Sequence, residues 1–301
     1  MAALADCRRR GEDPAGATVY VTLAPCTRSG RQPPCTDALI AARVAQVIAG
    51  IADPHQDDAG AVLGAAGIGY TVLDDPLARH LHGGFLSRIR LGRPRLTGKW
   101  AMTLDGCIAA VGGDSGWISD PLALARSRRR RRAFDGILVG AGTARHDDPE
   151  LLTPRGRRPD GSGPLRLVLT RTAAPLSGRL AQGPVPALTV GPHGALRSID
   201  DSAIAIAAAL GAHGLNEVLV EGGAQIHAAF LAAGLYDRLE VYLAGRTLGG
   251  GVSPAGQRGV PTIAGGTGWA LEEPPIMLGD TCLLRWCRTS GLSAGGLPST
   301  P

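Results

Sequence analysis

Residues 98–106 read GKWAMTLDG, residues 114–119 DSGWIS and residues 134–155 FDGILVGAGTARHDDPELLTPR, with an arginine-rich helix between the last two. Around the strongly apolar strand GILVG this stretch sets one lysine, two serines, a tryptophan, several arginines and an Asp-Asp-Pro corner. Those residue types on loops suit a phosphorylated, hydroxyl-rich ligand and a dinucleotide, which favours an enzyme over an interaction module.

Working outward, residues 98–288 read as one α/β block. Strands are predicted at 136–140, 165–169, 187–190, 217–220, 239–243 and 281–286, and helices at 120–133, 202–212 and 223–234. The pattern predicts a mixed sheet with antiparallel pairing among the last strands. Upstream, 1–93 reads as a second α/β block, with strands at 20–26 and 67–73 and a short one ending at IADP (51–54). A helix capped by Thr36 or Asp37 is predicted through ALIAARVAQVIAG, and another towards His82. LGRPRLT (91–97) reads as the linker. The Gly/Ser/Pro-rich tail 289–301 is expected to be disordered.

Composition narrows the function classes. At 301 residues the chain has room for two cores. The net charge of +5 comes largely from the arginines at 128–132 and 155–158. These are either solvated faces or an anion-binding wall, and small-molecule phosphate fits better than nucleic acid, whose binding signatures are missing. No apolar run approaches a membrane span, the start is not a secretory signal, and six cysteines make no disulfide framework. A cytoplasmic location is expected.

Cys26 and Cys35 flank TRSGRQPP. Two thiolates entering a helix N-terminus make half of a tetrahedral zinc site. A deaminating zinc needs a third ligand and a proton-shuttling glutamate in His-x-Glu. Residues 1–25 contain no histidine, and His55, His80 and His82 fall in the wrong order. YVTLAPCTRSGRQPPCTDALI nevertheless resembles the second zinc motif of the bifunctional deaminase–reductase of riboflavin synthesis, V-T-L-E-P-C-x-H-x-G-R-T-P-P-C. Ala24 replaces its glutamate and Arg28 its common histidine. The family's His-Ala-Glu would lie just upstream of Met1, so truncation and decay compete. Losses inside the chain favour decay, leaving zinc doubtful on the remnant Cys26 and Cys35 and no deamination.

The resemblance continues in order through GRPRLTGKWAMTLDG, DSGWIS, ILVGAGT, DDPELLTPR and VEGGAQIHAAFLAAGLYDRLEVYLA, spanning roughly 1–288. It implies a cytidine-deaminase-like remnant followed by a dihydrofolate-reductase-like α/β domain at 94–288. It also implies NADPH, a homodimer, and reduction of 5-amino-6-(5-phosphoribosylamino)uracil to the ribitylamino compound. Lys99 and Glu221 are the implied catalytic residues. Ser115, Arg131, Leu151, Arg155 and Glu221 would touch substrate, with the other arginines of the run solvated. Met102, Trp117, Thr143, Asp147, Gly222, Gly223 and Ala224 would contact the cofactor.

Each position has a simpler reading too. VGAGTARHDDP is either a tight strand-to-helix turn or a pyrophosphate cradle, and Arg145 excludes a Rossmann fingerprint. Glu221-Gly222-Gly223 is a turn or a second cradle before a helix N-terminus. Lys99 could snorkel from a strand edge, and Trp117 could be core. LLTPR is one residue longer than the usual L-T-x-R. Thr170-Arg171 replaces the family's frequent Asp-Ser, so Arg171 is a candidate for the 2′-phosphate. The alternatives are the full bifunctional enzyme, a non-catalytic scaffold, or a reductase of another pyrimidine or pterin.

Overall fold

The computed structural model describes residues 2–30, 32–153, 163–172, 175–182, 187–256 and 259–289. Arg155 and the predicted tail from 290 onward lie outside the described residues. Two compact units meet in sequence at Ile89 and Arg90.

In the first unit, α1 (Ala2–Arg10) precedes β1 (Thr18–Leu23), α2 (Cys35–Ala41), β2 (Gln46–Ile51), α3 (Ala59–Ala65), β3 (Gly69–Val72) and α4 (Pro76–Leu81). The strands form a parallel sheet in the order β1-β2-β3. Leu39, Val47 and Leu63 anchor its core. The helix predicted through ALIAARVAQVIAG is corrected here. It stops at Ala41, Arg43 turns the chain at φ 53°, and QVIAGI is the central strand. A central parallel strand is covered on both faces, so a continuous apolar run serves it as well as it serves a helix. The predicted cap moves as well. Pro34 precedes the helix, and fully buried Thr36 lies inside it, donating its hydroxyl to the Cys26 carbonyl at 3.3 Å.

The helix α5 (Gly83–Leu91) leads into the second unit. There follow β4 (Arg95–Thr103), α6 (Pro121–Arg130), β5 (Gly136–Gly140), α7 (Ala141–Asp147), β6 (Leu165–Leu169), α8 (Gly178–Ala181), β7 (Ala187–Gly191) and β8 (Leu196–Arg197). Then come α9 (Ala203–Ala212), β9 (Glu217–Gly222), α10 (Ala224–Ala232), β10 (Arg238–Ala244), β11 (Trp269–Leu271), β12 (Ile276–Leu278) and β13 (Thr281–Arg288). The sheet order is β11-β13-β10-β4-β9-β5-β6-β7-β8, with β12 also on β13. Everything from β10 to β8 is parallel, and β13 runs antiparallel to β10, β11 and β12. The expected antiparallel pairing of the last strands is thus present.

The linker predicted at 91–97 is corrected: Arg95 already opens β4, the strand between β9 and β10. Leu96 and Thr97 are buried there. The arginine-rich helix ends at Arg130, and Arg131–Ala133 tighten into a 3-10 turn.

Alternation sorts the sheet's two faces. Leu96, Trp100, Leu138, Val218, Val220 and Val241 pack with Ile206 and Phe230 of α9 and α10. On the other face, Ile137, Val139 and Leu219 pack with Phe134 and Leu151, and Tyr242 packs with Ala123 of α6.

Candidate active site

The site grows from the carboxyl edge of β4, β9 and β5. The chain enters at β4, crosses to β5, and later inserts β9 between them. That insertion brings the ends of strands distant in sequence side by side, the usual location of a ligand crevice in a parallel sheet.

Lys99 sits on β4, on the face that carries Glu240 and Tyr242 of β10, with Glu240 as its direct cross-strand partner. Its ammonium lies over the Tyr242 ring, 5.7 Å from the centroid. On the other side of β4, Glu221 ends β9 with its side chain 8% exposed. The Arg131 guanidinium donates to both of its oxygens, from Nε at 2.7 Å and Nη2 at 2.8 Å, and from Nη1 to the Leu152 carbonyl at 3.1 Å. Burial alone would raise the Glu221 pKa. Arg131 and Lys99 outweigh it and hold the carboxyl at about 2. Glu221 is therefore an anion, an acceptor and not an acid, at neutral pH.

The chain leaves Glu221 through Gly222 (φ 100°) and Gly223 (φ 94°), into α10. A Cβ on Gly222 would lie 2.9 Å from His227 Nε2, and one on Gly223 2.9 Å from Thr143 Oγ1. Thr143, in the first turn of α7, donates to the Gly222 carbonyl at 3.4 Å. The turn needs glycine for both conformation and space. Ala224 opens α10 immediately after it. Under the turn, His227 packs edge-on against Trp100 (4.9 Å between centroids) and hydrogen-bonds the Tyr236 hydroxyl through Nδ1 at 2.7 Å. Burial, aided by Lys99, pushes the His227 pKa down to about 3.

Not every predicted site residue joins this group. Met102 is near the end of β4, half-buried against the core. Ser115 and Trp117 lie on an exposed loop, Trp117 being 70% exposed and stacked under Arg128 at 5.8 Å, so it is not core. Asp147 is exposed at the end of α7, and Arg171 is exposed and paired with Asp201 at 2.8 Å. Leu151 is buried. At φ 51° its side chain points into the core with Phe134 and Val139, leaving only its backbone for a ligand. The arginine run is also corrected. Arg130 is not solvated: its Nε donates to buried Glu240 at 2.7 Å.

Three features escaped the sequence reading. Glu240 is a charge inside the apolar strand RLEVYLA, and His227 a polar residue inside the apolar helix AQIHAAFLA. Arg166, in the strand LRLVL, is buried and donates to the carbonyls of Arg179 and Gln182 at 3.0 and 3.1 Å. Each was visible as an exception to local pattern.

In the first unit, the Cys35 amide donates to Cys26 Sγ at 3.2 Å, and both cysteines are free. Arg28 pairs with Asp57 at 2.6 Å, and His82 shares a hydrogen bond with Thr22 at 2.9 Å. Among the described residues no three His, Cys, Asp or Glu are grouped to hold a metal.

A lysine, an arginine-held carboxylate and a two-glycine turn at one edge of a largely parallel sheet mark a candidate ligand site on an α/β domain, which a smaller parallel-sheet unit precedes in the chain. The family model of the RibD C-terminal domain matches residues 94–273. The riboflavin biosynthesis protein RibD of Mycobacterium tuberculosis H37Rv is 35% identical over 277 residues, covering 88% of this chain and 77% of that protein. The Escherichia coli K12 protein of that name is 34% identical, covering 86% and 77%. Among solved structures, Acinetobacter baumannii RibD superposes with TM-score 0.83 at 28% identity over 94% of this chain and 84% of that one. The Thermotoga maritima diaminohydroxyphosphoribosylaminopyrimidine deaminase/5-amino-6-(5-phosphoribosylamino)uracil reductase superposes with TM-score 0.80 at 27% identity over 95% and 83%. The chain belongs to the RibD family, and its second unit is that family's pyrimidine reductase domain of riboflavin biosynthesis.

Proposed function

We propose that this chain reduces 5-amino-6-(5-phosphoribosylamino)uracil to the ribitylamino compound with NADPH and does not deaminate. The observation that carries the reading is the convergence of Lys99, the Arg131–Glu221 pair and the Gly222–Gly223 turn.

The residues fit a dinucleotide. The Gly222–Gly223 turn holds a backbone that side chains rarely adopt (φ 100° and 94°), and the amides opening α10 lie directly beyond it, where the helix dipole favours a pyrophosphate. Thr143, Asp147, Met102, Trp117 and Ala224 are the remaining cofactor candidates, with Arg171 for the 2′-phosphate. Bound there, the reduced nicotinamide would supply hydride to C1′ of the imine formed when the ribosylamine opens, the proton for its nitrogen coming from water.

The chain's own part is binding and orientation. Glu221, ionised and fixed by Arg131, accepts hydrogen bonds from ligand hydroxyl or amine groups. It has no proton to give. Lys99 presents an ammonium with three donors to the polar atoms of the substrate. Arg131 has used three of its five N–H groups on Glu221 and Leu152, so at most two are left for phosphate. Arg155, with Ser115, is the better candidate for the rest of that contact. Neutral His227 and Tyr236 support the turn from below.

For deamination the support runs the other way: Cys26 and Cys35 stand without a third ligand among the described residues, and Ala24 and Arg28 occupy motif positions.

The test mixes the purified chain with NADPH and the phosphoribosylaminouracil and follows the nicotinamide absorbance. Loss of absorbance with formation of the ribitylamino product is expected. No turnover, with intact folding, would overturn the reductase reading. Stoichiometric zinc together with ammonia release from the diaminopyrimidine would overturn the second half.

A further inference from the structure

Lys99 is flanked by two buried carboxylates, Glu221 on β9 and Glu240 on β10, and its ammonium makes no ion pair with either among the described residues. Two consecutive arginines explain this. Arg130 closes α6 and Arg131 opens the 3-10 turn, so their side chains diverge. Arg131 takes Glu221 and Arg130 takes Glu240 (Nε to Oε1, 2.7 Å). The Glu240 side chain is 4% exposed and Arg130 30%. On the outer side Arg285 stands 3.7 Å from the same Glu240 oxygen, itself tied to Glu273 at 2.9 Å. Glu240 is the direct cross-strand neighbour of Lys99 and would be its default partner.

We infer that Arg130 is a positioning residue for the reductase site: by occupying Glu240 it leaves the single lysine, Lys99, over Tyr242 with its charge available to the ligand. The inference rests on the reading of Lys99 as a substrate contact. The physical reason is competition. An ammonium is a compact point charge on a flexible stem and turns to the nearest unpaired buried anion, whereas a guanidinium fixed at a helix end holds that anion in place. Without Arg130, Glu240 would take Lys99, and the site would lose a cation although Lys99 itself is unchanged.

The experiment uses the full chain labelled with 13Cε-lysine, which gives one side-chain resonance because the chain has one lysine. Arg130→Met should move that resonance and lower kcat/KM for the phosphoribosyl substrate by about tenfold or more, mainly through KM. Arg130→Met combined with Glu240→Gln removes the competitor. It should return the resonance to its wild-type position and recover activity to within about threefold. A double variant as impaired as the single one, with the Lys99 resonance unmoved in both, would overturn the proposal and leave Arg130 a structural residue. Arg130→Lys tests the same point with the charge kept: it adds a second lysine and so a second resonance, and a resonance left at the wild-type Lys99 position with activity retained supports sequestration by charge, whereas loss of that resonance contradicts it. If the wild-type chain does not turn the substrate over, the functional reading fails, while the resonances still decide the placement of Lys99.

Discussion

Arg131 grips both oxygens of Glu221, 2.7 and 2.8 Å away, across 90 residues of chain. The pair is nearly buried, its side chains 13% and 8% exposed. Removing one partner strands the other's charge. Arg131→Met is expected to cost about 3–5 kcal/mol of stability, measured by urea unfolding, and to abolish most reductase activity. Arg131→Lys keeps the charge but not the two-pronged geometry, and should be intermediate on both measures.

Acid should weaken the second unit in two overlapping stages. His227 is neutral in the fold down to about pH 3, whereas an unfolded histidine protonates below about 6.5, so stability falls as pH drops from 6.5 towards 3. Glu221 is ionised in the fold down to about pH 2 against a usual 4.5, so its contribution is full above 4.5 and is lost as pH falls towards 2. Urea midpoints should be level above about pH 6.5 and decline below it, and the His227 ring signals should not titrate between about pH 8 and pH 5. A ring titrating near neutrality would contradict the burial argument.

Gly223→Ala puts a methyl group 2.9 Å from Thr143 Oγ1 on a backbone at φ 94°, and Gly222→Ala does the same against His227 at φ 100°. Each should cost about 1–3 kcal/mol in thermal unfolding and weaken NADPH binding by fluorescence titration. Wild-type affinity in either variant would separate the turn from the cofactor.

Trp117 tests the exposed loop. At 70% exposure its removal should change stability by no more than about 0.5 kcal/mol. Trp117→Ala should nevertheless raise the KM for NADPH several-fold with kcat little changed. Equal kinetics in the variant and the wild type would remove Trp117 from the cofactor site.

Legibility differed by element. GILVG and EVLV read correctly as strands because buried parallel strands are short and apolar, although the second runs on through Glu221 to Gly222, which the sequence reads as a turn. VAQVIAG misled because an apolar run covered on both sides carries no period, so a helix and a central strand look alike. Arg95–Thr103 was read as part linker because Gly-Arg-Pro punctuates the chain just before β4. At the site, Lys99, Arg131, Glu221 and the two glycines were found through ordered motifs. The partners that set their behaviour were not: Glu240 and His227 sit in apolar segments where a single sequence reads them as exceptions without a destination.

The sequence by itself determined the chemistry on offer: one lysine, a carboxylate ending an apolar strand, two glycines opening a helix, and a cysteine loop short of a metal set. Those follow from residue type and local spacing, which act over a few residues. The tertiary structure alone decided who is paired with whom. Insertion of β9 beside β4 and the divergence of Arg130 from Arg131 assign each buried carboxylate its arginine and leave Lys99 without an ion pair, because a buried carboxylate is stable only beside a partner charge and takes the guanidinium the fold brings to it, however far that lies along the chain.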